Sequence, residues 1–219
     1  MSQLSLYLLG SPRIERDGEP IRVDTRKAVA LLAYLALTAE SHARDALVSL
    51  LWPESDPAHG RAALRRTLHA LRRALAGSPQ RFDPAAWLDA DWETIGLSPQ
   101  AAIWSDVDQF HRLLAQCRTH GHPASDVCPE CVPLLTAAAE LHRGDFLGGF
   151  SLKDSYAFDD WQFFQAESLR RELADALEKL VRAHIVQAAF EPAIRYARQS
   201  LSLDRLNETA HCQLMQLYT

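Results

Sequence analysis

The sequence predicts a mainly α-helical chain with a small β component, divided into two domains. Three observations carry this. The first 24 residues alternate apolar and polar at period two, and from Thr25 the apolar period becomes helical. Aromatic and β-branched residues at Phe82, Trp87, Trp92, Ile95, Leu97 and Ile103 indicate a hairpin, and everything after Asp106 again reads as helix. Strands, three helices and a hairpin followed by an all-helical remainder place one domain over 1–104 and a second over 105–219, joined near Trp104–Asp106. With 219 residues, 47% of them hydrophobic, the chain is long enough to bury a core in each.

The elements follow in order. Leu4, Leu6 and Leu8 share one face of a strand, Ile14 belongs to the next, and Asp17-Gly18 is a turn before Ile21 and Val23. Thr25 is the expected N-cap of a first helix in which Val29, Leu32, Ala33, Ala36 and Leu37 recur at helical spacing. A second helix runs from about Arg44 to Trp52, stopped by Pro53. The third opens at Asp56-Pro57, an N-cap with proline in the first helical position, and ends near Ala76 before Gly77 and Pro79. In the second half, helices are expected over Asp106–Cys117, Leu134–His142 and Phe158–Gln187. A further pair begins at Phe190 and resembles a 34-residue tetratricopeptide unit, with Arg205 where proline is usual. Gly144, Gly148 and Gly149 read as a tight loop between helices.

The net charge of -5 gives no hint of nucleic acid, but it is an average. Residues 1–98 carry 12 basic and 12 acidic residues, whereas the remainder carries 11 and 16. Between Asp56 and Asp83 there is no acid, yet Arg61, Arg65, Arg66, Arg72, Arg73 and Arg81 all fall there. On the third helix Leu64, Leu68, Leu71 and Leu75 form a buried stripe. With Leu64 at zero, Arg61 and Arg72 lie at about 60–80°, Arg65 at about 100°, His69 at about 140°, and Arg73 and Arg66 at about 180–200°. A solvated helix face normally mixes signs to gain i,i+4 pairs; this arc does not. Guanidinium forks match guanine O6/N7 and phosphate oxygens, and a helix fits the major groove, so the arc is a candidate DNA reader. Arg26, Lys27 and Arg44 are further candidates for phosphate contact.

Arg26 to Leu37, Leu51-Trp52-Pro53 and Ala62 to Leu75 together resemble the OmpR-type winged helix-turn-helix of the Streptomyces antibiotic regulatory proteins. Gly144-Asp145-Phe146-Leu147-Gly148-Gly149-Phe150, followed by Trp161, resembles the bacterial transcriptional activation domain that follows it in the same family. The resemblance implies a recognition helix over 57–76, a wing near Asp83–Leu97 and a TPR-like second domain. It further implies binding to double-stranded DNA at direct repeats as tandem protomers or a dimer, activation of transcription, and recruitment of RNA polymerase. The wing is unusually acidic (Asp83, Asp89, Asp91, Glu93), with Arg81 at its base, which argues against strong minor-groove contact by it. Ending at Thr219 inside an expected helix, the second domain is read as truncated at its C-terminus.

Cys117, His120, His122, Cys128 and Cys131 fall within 15 residues. Thiolate and imidazole at such spacing suit a structural tetrahedral Zn²⁺, held by the three cysteines and one of the two histidines. A redox pair at Cys128/Cys131 is the competing chemistry, while Cys212, alone on a helix, is expected in the core. No HExxH, GxSxG, P-loop or GxGxxG after a strand is present, so no enzyme is expected. No apolar run is long enough to span a membrane, and no secretory leader is evident, which points to the bacterial cytoplasm, nucleoid-associated when bound. The other functional reading is a TPR-like interaction adaptor or a signalling fragment of a larger sensor protein.

Overall fold

The computed structural model describes residues 2–76, 87–121, 123 and 127–218. Fifteen elements are assigned among them, and the fold is mainly helical with a small β component at the N-terminus, as expected. Two compact units result: Met1–Val107 with Phe146–Phe164, and Asp108–Asp145 with Gln165–Thr219.

In the first unit β1 (Leu4–Tyr7), β2 (Arg13–Arg16) and β3 (Glu19–Pro20) form an antiparallel meander. Leu4, Leu6 and Leu8 are buried, the alternation the sequence displays. Asp17 and Gly18 both have positive φ (53° and 84°), which is the two-residue hairpin turn whose twist matches the strands. A fourth strand, β7 (Ile103–Ser105), pairs in parallel with β1 and completes the order β3-β2-β1-β7. Ile103 therefore belongs to this sheet and not to the hairpin that its β-branched character indicated.

Helix α1 (Arg26–Thr38) starts at Thr25, whose hydroxyl accepts from the Ala28 amide, and ends at Ala39 in the left-handed region. Strand β4 (His42–Ala43) leads into α2 (Arg44–Leu51) and then α3 (Pro57–Ala76). The Asp56 carboxylate caps α3 by accepting from the Ala58 and His59 amides, both at 3.1 Å. A Cβ on Gly60 would lie 2.4 Å from Val48 Cγ1, so the close approach of α2 and α3 requires glycine there. Strands β5 (Leu88–Ala90) and β6 (Thr94–Leu97) form the wing hairpin, with β4 joined to β6 in the order β4-β6-β5. The expected Gly77/Pro79 stop of α3, and Arg81 and Asp83 at the wing's base, lie outside the described residues.

Two distant pieces complete this unit. Asp106 is fully buried, and its carboxylate accepts from the Leu8 and Leu9 amides at 2.8–3.0 Å. The loop after Asp145 bonds back to the segment that follows β1, Leu147 N–H donating to the Leu8 carbonyl and Gly148 N–H to the Gly10 carbonyl, each at 2.8 Å. Phe146, Leu147, Leu152 and Phe158 are buried there, and Trp161 sets its edge against Tyr34 at 4.9 Å.

The second unit is all helix: α4 (Asp106–Arg118) from its third residue, α5 (Cys131–Leu141), α6 (Tyr156–Val186) from Gln165, α7 (Phe190–Leu203) and α8 (Glu208–Tyr218). Phe110, Leu135, Leu169, Leu173, Leu177 and Leu180 form its centre. Helix α5 begins three residues earlier than its apolar pattern indicates. Pro133 sits in its first turn, where an amide would have no helical acceptor in any case. Tyr196 stacks on His184, and Ala193, Ala197 and Ala210 are buried where α7 and α8 meet. Cys212 is exposed, because the buried part of α8 is Ala210; it is not the core residue expected.

Candidate nucleic-acid interface

The stripe on α3 is buried as the spacing requires: Leu64, Leu68, Leu71 and Leu75 are each at most 4% exposed. Arg16 donates to the Leu75 carbonyl at 2.8 Å, a cation at the helix C-terminus, where the backbone dipole favours one. With one face fixed in the core, the opposite arc is held outward.

The cations on that arc do not share one environment. Arg65, Arg66 and His69 are exposed and have no ion pair or hydrogen bond among the described residues. Arg61 makes a two-pronged bond to Asp45 of α2 (2.7 and 2.6 Å), which holds that carboxyl below its usual range and raises Arg61. Arg73 lies 3.8 Å from Asp24, and Arg72 is half-buried with its Nε out of solvent and without a partner. The arc is thus not wholly without counter-ions. They come from α2 and from the approach to α1, where periodicity along one helix cannot find them.

The secondary cations are engaged within the same unit. Arg26 donates to the Ser151 carbonyl at 2.9 Å and lies over the Phe150 ring; Lys27 pairs with Asp154 at 2.8 Å beside Trp52. Arg44 donates to the Asp91 carbonyl at the wing. The Asp91 carboxylate accepts from the Glu93 and Thr94 amides, which lowers its pKa and closes the wing turn. That turn presents Trp92, 82% exposed, a residue that sequence reasoning counted only as a strand former. Its position between Asp91 and Glu93, with apolar strand positions on either side, is the signal for a turn. Arg44, Arg61, Arg65 and Trp92 line an open groove of about 1000 Å³ between α2, α3 and the wing.

In the helical unit, His120, Cys128 and Cys131 come together, their ligand atoms all within 4.8 Å, close enough to hold a metal ion. No cysteine forms a disulfide. Burial acts against ionisation of Cys128, but bonds from His120 and Cys131 outweigh it and bring the thiol down to about 7. Burial and the facing thiols of Cys128 and Cys117 push Cys131 up to about 12. His122 lies outside the described residues.

Residues 105–219 match the family described as bacterial transcriptional activator domain. The chain belongs to the bacterial transcriptional activator domain family. This is a family of transcription regulators, and it is the one indicated by Gly144–Phe150 and Trp161. No curated protein matches the chain. Among solved structures, this family member is similar to Mycobacterium tuberculosis EmbR, solved in complex with a low-affinity phosphopeptide. The TM-score is 0.60 at 21% identity over 100% of this chain and 65% of that one. That likeness is one of fold, and this chain spans 65% of the length of the structure it matches. Among the described residues of this family member, no helix is long and apolar enough to cross a membrane.

Proposed function

We propose that this chain is a sequence-specific DNA-binding transcriptional activator. Residues 1–104 are its OmpR-type DNA-binding domain and 105–219 the activator domain, which makes protein contacts. The observation that supports the reading best is the row Arg65, Arg66 and His69: three donors, exposed and unpaired among the described residues, on a helix whose other face is buried. An unengaged arginine pair on a rigid helix has the shape and chemistry of a major-groove reader. Arg61, Arg72 and Arg73 flank the row, and Arg44 contacts phosphate from the groove beside it. Arg26 and Lys27 add positive potential from their bonded positions at the start of α1. The partners are duplex DNA at direct repeats, a second protomer in tandem, and RNA polymerase through the helical domain, with the bacterial cytoplasm and nucleoid as the place of action.

Selection of bound duplexes from a random pool tests the reading and returns the half-site spacing. A repeated motif with affinity that falls steeply with salt is the expected result, since each neutralised phosphate contributes a slope of about -0.9 in log affinity against log salt. No enrichment, or binding insensitive to salt, would overturn it.

A further inference from the structure

The cysteine and histidine cluster belongs to the helical unit, and its geometry is specific. Cys117 and His120 close one turn at the end of α4, the His120 amide donating to the Cys117 carbonyl at 3.4 Å. Cys128 and Cys131 close a second turn at the start of α5, the Cys131 amide donating to the Cys128 carbonyl at 3.0 Å. Two C-x2-ligand turns thus face each other across the connection between the helices. His120 Nδ1 is 3.3 Å from Cys128 Sγ and 3.2 Å from Cys131 Sγ, and the two sulfurs are 3.4 Å apart.

That triangle is nearly equilateral. With zinc–sulfur bonds of about 2.3 Å and zinc–nitrogen bonds of about 2.0–2.1 Å, one face of a tetrahedral site has edges of about 3.6–3.8 Å. The observed edges are a few tenths of an ångström shorter, so a small outward movement of three side chains admits the ion. Cys117 is the nearest further thiol: its Sγ lies 3.7 Å from the Cys131 carbonyl, outside the group whose ligand atoms are all within 4.8 Å of one another, so it must turn inward to supply a fourth corner. Three soft thiols with one imidazole favour zinc over the oxygen-seeking divalent ions.

We propose that Cys117, His120 through Nδ1, Cys128 and Cys131 form a four-coordinate structural zinc site that fastens α4 to α5. Four protein ligands leave no open position, so the ion has no catalytic role. Its work is to join two helix ends across a connection whose sequence holds few large apolar residues. His120 supplies the imidazole.

Elemental analysis of the full chain, purified without chelator, tests this directly. One equivalent of zinc is expected, lost in His120→Ala and Cys128→Ser and retained in His122→Ala. Because a ligand variant can fail for lack of folding, wild-type protein is also stripped and titrated with Co²⁺. Tetrahedral d–d bands and a thiolate-to-cobalt charge-transfer band, saturating at one equivalent and displaced by zinc, are expected. Less than half an equivalent of zinc with no cobalt bands overturns the proposal, as does a Cys128–Cys131 disulfide in protein kept under reducing conditions. Loss of zinc in His122→Ala with retention in His120→Ala overturns the ligand set.

Discussion

Two dibasic pairs sit on helices of the same unit, Arg26-Lys27 at the start of α1 and Arg65-Arg66 in the middle of α3. In residue type and charge they are alike. In the structure the first pair is engaged, with Ser151, Phe150, Asp154 and Trp52 around it, while the second has no partner among the described residues. The difference teaches that the value of a cation for recognition lies in what it is not already bonded to. An engaged guanidinium must give up its bond before it can meet DNA; an open one need not.

The sharpest way to break the comparison is to remove each pair. Arg65→Ala is expected to cost about 1–3 kcal/mol in binding to the selected site and to relax one base position, and Arg66→Ala likewise or in the phosphate slope. Arg26→Ala with Lys27→Ala is expected to weaken binding by less than about threefold, a rim-charge effect of under about 1 kcal/mol. Gel retardation of the Arg65→Ala/Arg66→Ala and Arg26→Ala/Lys27→Ala double variants at one salt concentration decides; equal losses would erase the distinction. A middle-sized effect is expected where an engaged cation is released. Asp45→Ala frees Arg61, and the salt slope should then steepen by about one unit. An unchanged slope would mean that Arg61 faces no phosphate even when free. The smallest effect concerns the engaged pair itself: a Lys27/Asp154 double-mutant cycle should give a coupling of about 0.2–1 kcal/mol by denaturant unfolding. Zero coupling together with a large loss of DNA affinity in Lys27→Ala would reverse the two pairs' roles.

How much of this was legible follows the same line. Periodicity within one helix is local, and it located α3 from its start, with its leucine stripe and its outward arc. Thr25 and Asp56 were legible as caps because a cap is a one-residue chemical signal. What escaped was anything set by a partner far along the chain. Ile103 reads like any β-branched hairpin residue, and only its parallel neighbour Leu4 assigns it to the first sheet. The partners of Arg26 and Lys27 lie more than 120 residues away. Cys212 looked like a core residue because a single thiol carries no directional signal, whereas the cluster around Cys128 and Cys131 was visible from spacing, which left His120 and His122 both open. Trp92 was counted as strand because an aromatic residue between strands looks like strand, and its exposure in the turn was not legible.

Asp106 has a practical consequence for anyone exchanging parts between such proteins. Its buried carboxylate holds the Leu8 and Leu9 amides, and Phe146–Phe164 fills the same unit, although Asp106 and Phe146–Phe164 fall within the stretch that matches the activator family. A chimera spliced at 104/105 would hand the reading half a foreign clasp and a foreign plug. Interchange of specificities by cut-and-paste should therefore fail unless Asp106 and the 146–164 packing surface travel with the N-terminal half.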